Sequence, residues 1–129
     1  MLYYSTIKME VMIMKRDLSI CPKFEKAFQV LGKKWNGLII EVLLSGECRF
    51  STISAAIPEL SDRMLAARLK ELEGLGIVER HVGTGYPVQV TYRLTKKGQG
   101  IEPILVEVHR WAECWFTAES GEQGKTETS

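Results

Sequence analysis

The segment from residue 61 to residue 76 leaves this chain little freedom. Ser61 offers a side-chain oxygen where a helix would begin. Asp62 puts negative charge at the positive end of its dipole, and Gly74 and Gly76 punctuate its end. Between them Leu65, Leu69 and Leu72 recur at i, i+4 and i+7. At about 100° per residue the three leucines fall within about 60° of one another, and Arg63, Ala67 and Lys70 fall on the opposite side. The spacing predicts a helix over 61–73 that packs its leucines on a neighbour and leaves a basic face outside.

The flanking residues supply the neighbours. Pro22 suits a first helical turn, Phe24, Ala27, Phe28 and Leu31 follow at helical spacing, and Gly32 ends that element. Trp35, Leu38, Ile39, Val42 and Leu43 make a second amphipathic stripe, closed by Ser45 and Gly46. Arg49 and Phe50 read as a very short strand. Ser51 or Thr52 then starts a short helix carrying Ile53, Ala56 and Ile57, which Pro58 stops. Residues 77–82 and 88–94 read as two strands, joined by a loop too long for a two-residue turn. Thr95 caps a last helix bearing Ile101, Ile104, Leu105, Val108, Trp111 and Trp115, with Gly98, Gly100 and Pro103 weakening or bending its first part. The order is helix, helix, short strand, helix, helix, hairpin, helix. It predicts a mainly α fold with a small β-hairpin wing (α+β): a winged helix-turn-helix with N- and C-terminal dimerisation helices, spanning residues 14–118.

Composition narrows the function. The 129 residues suit one domain. The net charge of +1 hides an asymmetry: residues 14–97 carry fourteen Lys/Arg against nine Asp/Glu, and residues 98–129 carry two against six. A basic body beside an acidic end suits a polyanionic partner on one side of the molecule. Three cysteines, an odd number without a CxxC, argue against a disulfide scaffold or a zinc site and suit a reducing cytoplasm. No cofactor motif is present, and no apolar run reaches the about 18–20 residues that span a membrane. The first thirteen residues lack a basic n-region and a small-residue cleavage site. They read as an extension, flexible or helical, and Met14 serves equally as a start. Residues 119–129 contain no apolar residue and read as a disordered acidic tail.

A recognition helix needs the division seen in 61–73. One face packs inward, and the other must be basic yet small enough in places to enter a major groove about 12 Å wide. Ala66 and Ala67 supply the small positions. Arg63 can pair bidentately with guanine, Ser61 and Asp62 can reach base edges near the helix start, and Arg68 and Lys70 suit phosphate. Wing residues Arg80, His81, Thr84, Tyr86 and Gln89 suit a phosphate backbone or a minor groove. The plainer readings are a solvated helix and an exposed polar hairpin. Trp111, Trp115 and Phe116 widen the terminal stripe beyond what a helix needs to cover its own small domain, which favours a homodimer.

From Cys21 to Phe116 the chain resembles the HxlR-type branch of the MarR-like regulators. The matching pieces are Cys21-Pro22, Leu31-Gly32-Lys33-Lys34-Trp35, Arg49-Phe50, Ile57-Pro58 and Leu60-Ser61. They continue through residues 63–73, Gly76-Ile77-Val78-Glu79-Arg80, Pro87-Val88, Tyr92, Leu94-Thr95 and Gly98. Residues 35–40 after Cys21-Pro22-Lys23 are similar to the thiol-switch members, which respond to quinones, diamide or other electrophiles. The resemblance implies a homodimer on a double-stranded operator, repression, and release by modification of Cys21. Cys21 stands just before a helix, where the dipole and the nearby Lys23 and Lys26 favour a nucleophilic thiolate. A terminal helix crossing the first helix of the other subunit would bring Cys21 and Cys114 within disulfide reach. The alternatives are a regulator of this type without redox sensing and a winged-helix protein-interaction module. No nucleophile motif, phosphate-cradling loop or metal spacing supports an enzyme.

Overall fold

The computed structural model describes residues 21–116, so the extension at 1–13 and the tail at 119–129 lie outside the described residues. The chain divides into two units, Met1–Lys34 and Trp35–Ser129. In the first, α1 (Pro22–Leu31) starts with Pro22 in its first turn and Cys21 as N-cap, and closes with the Gly32 N–H on the Phe28 carbonyl at 2.7 Å. None of its ten residues is buried. Phe24 and Phe28, one turn apart, pack their rings 4.9 Å apart on its exposed surface.

The second unit runs α2 (Asn36–Leu44), β1 (Cys48–Arg49), α3 (Phe50–Ala56), α4 (Asp62–Gly74), β2 (Val78–Val82), β3 (Val90–Leu94), α5 (Lys96–Gln99) and α6 (Glu102–Trp115). The strands form an antiparallel sheet in the order β1-β3-β2, so the very short strand joins the hairpin as a third member. Ile39, Ile40 and Leu43 of α2, Ile53 and Ile57 around α3, Leu65, Leu69 and Leu72 of α4, and Ile77, Val78 and Leu94 of the sheet make the core. This is a winged-helix fold.

Four expectations shift in detail. Around α2 the buried side is Ile39, Ile40 and Leu43, while Leu38 is exposed; the run from Leu38 to Leu44 is apolar almost all round, and periodicity alone cannot choose its inner face. The short strand is Cys48–Arg49, with Phe50 already helical. Strand β3 begins at Val90 rather than 88, just past Pro87, which lacks the N–H a ladder needs. The last helix is two helices. Thr95 Oγ1 accepts from the Gly98 N–H at 3.1 Å to cap α5, and α6 restarts with Pro103 in its first turn. Gly98 is demanded by packing, since a Cβ there would lie 2.3 Å from the Ile77 carbonyl oxygen.

Candidate nucleic-acid interface

Helix α4 is fastened at both ends. Ser61 Oγ accepts from the Met64 N–H at 3.1 Å. At the other end the Gly76 N–H donates to the Glu73 carbonyl and the Ile77 N–H to the Leu72 carbonyl, with Gly76 at φ 75. This paired closure needs a left-handed residue, which glycine adopts without a Cβ penalty. Lys97 Nζ, from α5, donates to the Leu75 carbonyl at 2.6 Å and sets a cation at the negative end of the dipole. Ser54 Oγ on α3 donates to Asp62 Oδ1 at 2.6 Å, tying together the two helices of the helix-turn-helix. With Leu65, Leu69 and Leu72 buried beneath, the orientation of α4 is set from several sides.

The outward face carries Arg63, Ala67 and Lys70, all exposed. Ser61 and Asp62 are exposed as well, but each already has a structural partner, Met64 and Ser54 respectively. Arg68 differs from its neighbours: its side chain is only 14% exposed and its Nη1 lies 3.3 Å from Glu71 Oε1.

The wing follows a regular register, with Arg80 opposite Tyr92, His81 opposite Thr91 and Val82 opposite Val90. One further bond, Gly83 N–H to the Gln89 carbonyl at 2.7 Å, extends the ladder toward the tip. Successive strand residues point to opposite faces. His81 and Gln89 therefore share one face, and Arg80 takes the other, with Tyr92. A partner lying against a single face of the wing meets one set and not both. Thr84 and Tyr86 sit in the tip loop, and Tyr86 is fully exposed.

Charges are used differently along this surface. At the base of the wing Arg93 Nη2 donates to Glu79 Oε1 at 3.1 Å, and its Nη1 lies 4.0 Å from Glu47. The hydrogen bond from Arg93, and next its charge, hold the Glu79 carboxyl below the usual range; Arg93 is correspondingly raised. Arg110 pairs with Glu107 on α6. Arg63, Lys70 and Arg80 make no ion pair among the described residues. Arg49, not expected as a site residue, joins them. It is exposed and without an ion pair among the described residues, and it stands opposite Thr91 in the same cross-strand row as His81. Its signal in the sequence is the Arg49-Phe50 pair, which reads as a short strand and as a piece of the family resemblance rather than as a contact residue.

Residues 30–120 match the HxlR-like helix-turn-helix family. The chain belongs to that family. It is 52% identical over 95 residues to the transcriptional regulator YodB of Bacillus subtilis (strain 168), a match covering 74% of this chain and 85% of YodB. YvaP of the same organism, an uncharacterised regulator of helix-turn-helix type, is 51% identical over 97 residues, covering 75% of this chain and 90% of YvaP. The solved reduced form of B. subtilis YodB superposes with a TM-score of 0.70 at 50% identity, over 75% of this chain and 95% of that one. YodB has also been solved diamide-treated and quinone-bound. HxlR-family proteins of this fold are DNA-binding transcriptional regulators, not enzymes, and this chain is a transcriptional regulator.

The cysteines fall in three settings. Cys21 is half-buried at the N-terminal end of α1, with its carbonyl accepting from the Glu25 N–H at 3.0 Å. Cys48 is half-buried in β1, its thiol donating to the Gly46 carbonyl at 3.2 Å. Cys114 is exposed near the end of α6. All three are free thiols. Among the described residues no helix is long and apolar enough to cross a membrane.

Proposed function

We propose that this HxlR-family regulator is a cytoplasmic repressor that binds a pseudo-palindromic operator as a homodimer and is released by thiol modification at Cys21. The observation that carries the DNA half is the exposed face of α4, where Arg63 and Lys70 flank Ala67 and make no ion pair among the described residues. Arg63 reads a guanine and Ala67 lets the helix sit close in the groove. Ser61 and Asp62 face the first base edges while capping and bracing the helix. Lys70 and Arg49 hold phosphate, and Arg68 contributes charge from its place beside Glu71. On the wing, Thr84 and Tyr86 at the tip and either His81 with Gln89 or Arg80 follow the backbone or the minor groove.

The dimer half rests on apolar surface. Ile104, Val108, Trp111 and Trp115 of α6 are 46–72% exposed, and Phe24 and Phe28 of α1 are similarly bare. Each of these apolar surfaces, taken by itself, asks for a partner, and a second copy would hold two recognition helices about 34 Å apart, one DNA turn.

The sensing half rests on Cys21 at a helix N-terminus and on the likeness to YodB, solved both reduced and quinone-bound. A quinone adds to the thiolate by conjugate addition, or an oxidant joins Cys21 to a second thiol, for which Cys114 is the candidate. The test is operator binding before and after benzoquinone, for wild type and Cys21→Ser. Wild type should release and the variant should hold. Equal binding by treated and untreated wild type would remove the switch and leave DNA binding intact.

A further inference from the structure

Helix α6 has an attachment problem. None of its fourteen residues is buried. Its inward side consists of half-buried Leu105 and Ala112, continued at the N-cap by Ile101. At about 100° per residue, Ile101, Leu105 and Ala112 span about 40° of the helix, and the exposed His109 stands about 40° beyond Leu105. The exposed stripe of Ile104, Val108, Trp111 and Trp115 spans about 60° immediately beside the inward arc. Two adjacent apolar arcs leave the rotation of α6 poorly determined, because apolar contact is non-directional. A turn of about 20° on a helix about 10–12 Å across moves its surface by about 2 Å.

One directional contact resolves the ambiguity. His109 Nε2 donates to Glu41 Oε1 on α2. His109 lies beyond the edge of the inward arc that is farther from the exposed stripe, and Glu41 is one residue beyond the fully buried Ile39 and Ile40. The geometry points to Glu41 and His109 as positioning residues: their contact fixes the rotation of α6 on the winged helix and so sets the half-site spacing that the dimer accepts. This rests on the proposed dimer through α6. Neither residue belongs to the outward face of α4, to the wing or to the apolar stripe. Their effect is on where the second recognition helix falls once the first is seated.

The test uses the full chain as wild type, Glu41→Ala, His109→Ala, the double variant and Glu41→Gln, which keeps an acceptor for His109. The probes are a duplex selected by wild type from random sequence, derivatives with one or two base pairs inserted between its half-sites, and a single half-site. Sedimentation gives the oligomeric state, and thermal unfolding checks that each variant folds. The alanine variants should remain dimeric and bind the single half-site as wild type does. They should lose about five- to fiftyfold on the selected duplex and discriminate less against the inserted ones. The double variant should be no worse than the poorer single, since the two residues act as one unit. Glu41→Gln should recover most of the loss. Dimeric alanine variants with unchanged affinity and spacing preference would overturn the lock, as would additive losses or collapse to monomers. A monomeric wild type would instead remove the dimer on which the lock depends.

Discussion

Helices α4 and α6 are nearly equal in length and both amphipathic, yet they use their apolar sides in opposite ways. Helix α4 buries Leu65, Leu69 and Leu72 at no more than 1% exposure and is closed at both ends by side-chain or backbone bonds. Helix α6 buries nothing, and its largest side chains, Trp111 and Trp115, stand open. The first helix has its orientation determined within its own domain, as its proposed role in a DNA groove requires. The second leaves its apolar surface uncovered among the described residues. An apolar stripe in a sequence therefore marks a face to be covered without saying by what.

The largest expected effect separates the two directly. Leu69→Ala should cost about 2–5 kcal/mol of folding stability, read from thermal or denaturant unfolding, because it opens a cavity in a closed core. Trp111→Ala and Trp115→Ala should leave the secondary structure of the isolated chain in place and instead weaken self-association, by about 2 kcal/mol or more at an interface hot spot. Sedimentation at several protein concentrations distinguishes these losses. If Trp111→Ala unfolds the chain as severely as Leu69→Ala at concentrations where wild type is monomeric, the α6 stripe is core and the contrast fails.

A smaller effect sharpens what α4 presents outward. Arg63→Ala should remove about 1–3 kcal/mol of discrimination at one base position, flattening the preference there. Lys70→Ala should weaken binding nearly uniformly across sequences and reduce the salt slope of log K by about 0.9, one released phosphate contact. Competition binding on single-base variants, repeated at several salt concentrations, checks both. The reverse pattern, with Lys70 altering sequence preference and Arg63 only the salt slope, would reassign the groove-facing end of the helix.

Much of this was legible in the residues and some was not, for physical reasons. The start and stop of α4 were legible because Ser61 and Gly76 do chemically specific jobs, a cap and a left-handed closure. The inner face of α2 was not, since the stretch from Leu38 to Leu44 is apolar nearly all round. The split of the last helix was half legible: Gly98, Gly100 and Pro103 announced weakness. The cause at Gly98, an approach to the Ile77 carbonyl, is a tertiary contact that local sequence cannot carry. At the site, exposure of Arg63, Ala67 and Lys70 followed from the helical period. The pairing of Arg68 with Glu71, the brace from Ser54 to Asp62 and the row joining Arg49 to His81 each required knowing which element lies beside which.

The smallest expected effect concerns the base of the wing, where charges are paired with one another rather than left for a partner. Arg93, by its hydrogen bond and then its charge, lowers the Glu79 carboxyl from its ordinary value of 4.5. A carboxyl lowered in the folded state contributes stability that is fully present above its unfolded value and is lost as pH falls through the lower folded value. The stability difference between wild type and Glu79→Gln should therefore be constant near neutrality. It should shrink only as the pH drops below the ordinary carboxylate range. Glu79 is half-exposed on the sheet surface, so the difference should be slight and should fade with added salt. Unfolding midpoints at several acid pH values, in low and high salt, measure it. A difference that grew toward acid would mean that Glu79 gains its interaction in the protonated form, and the ion pair would no longer account for how the wing is held at its base.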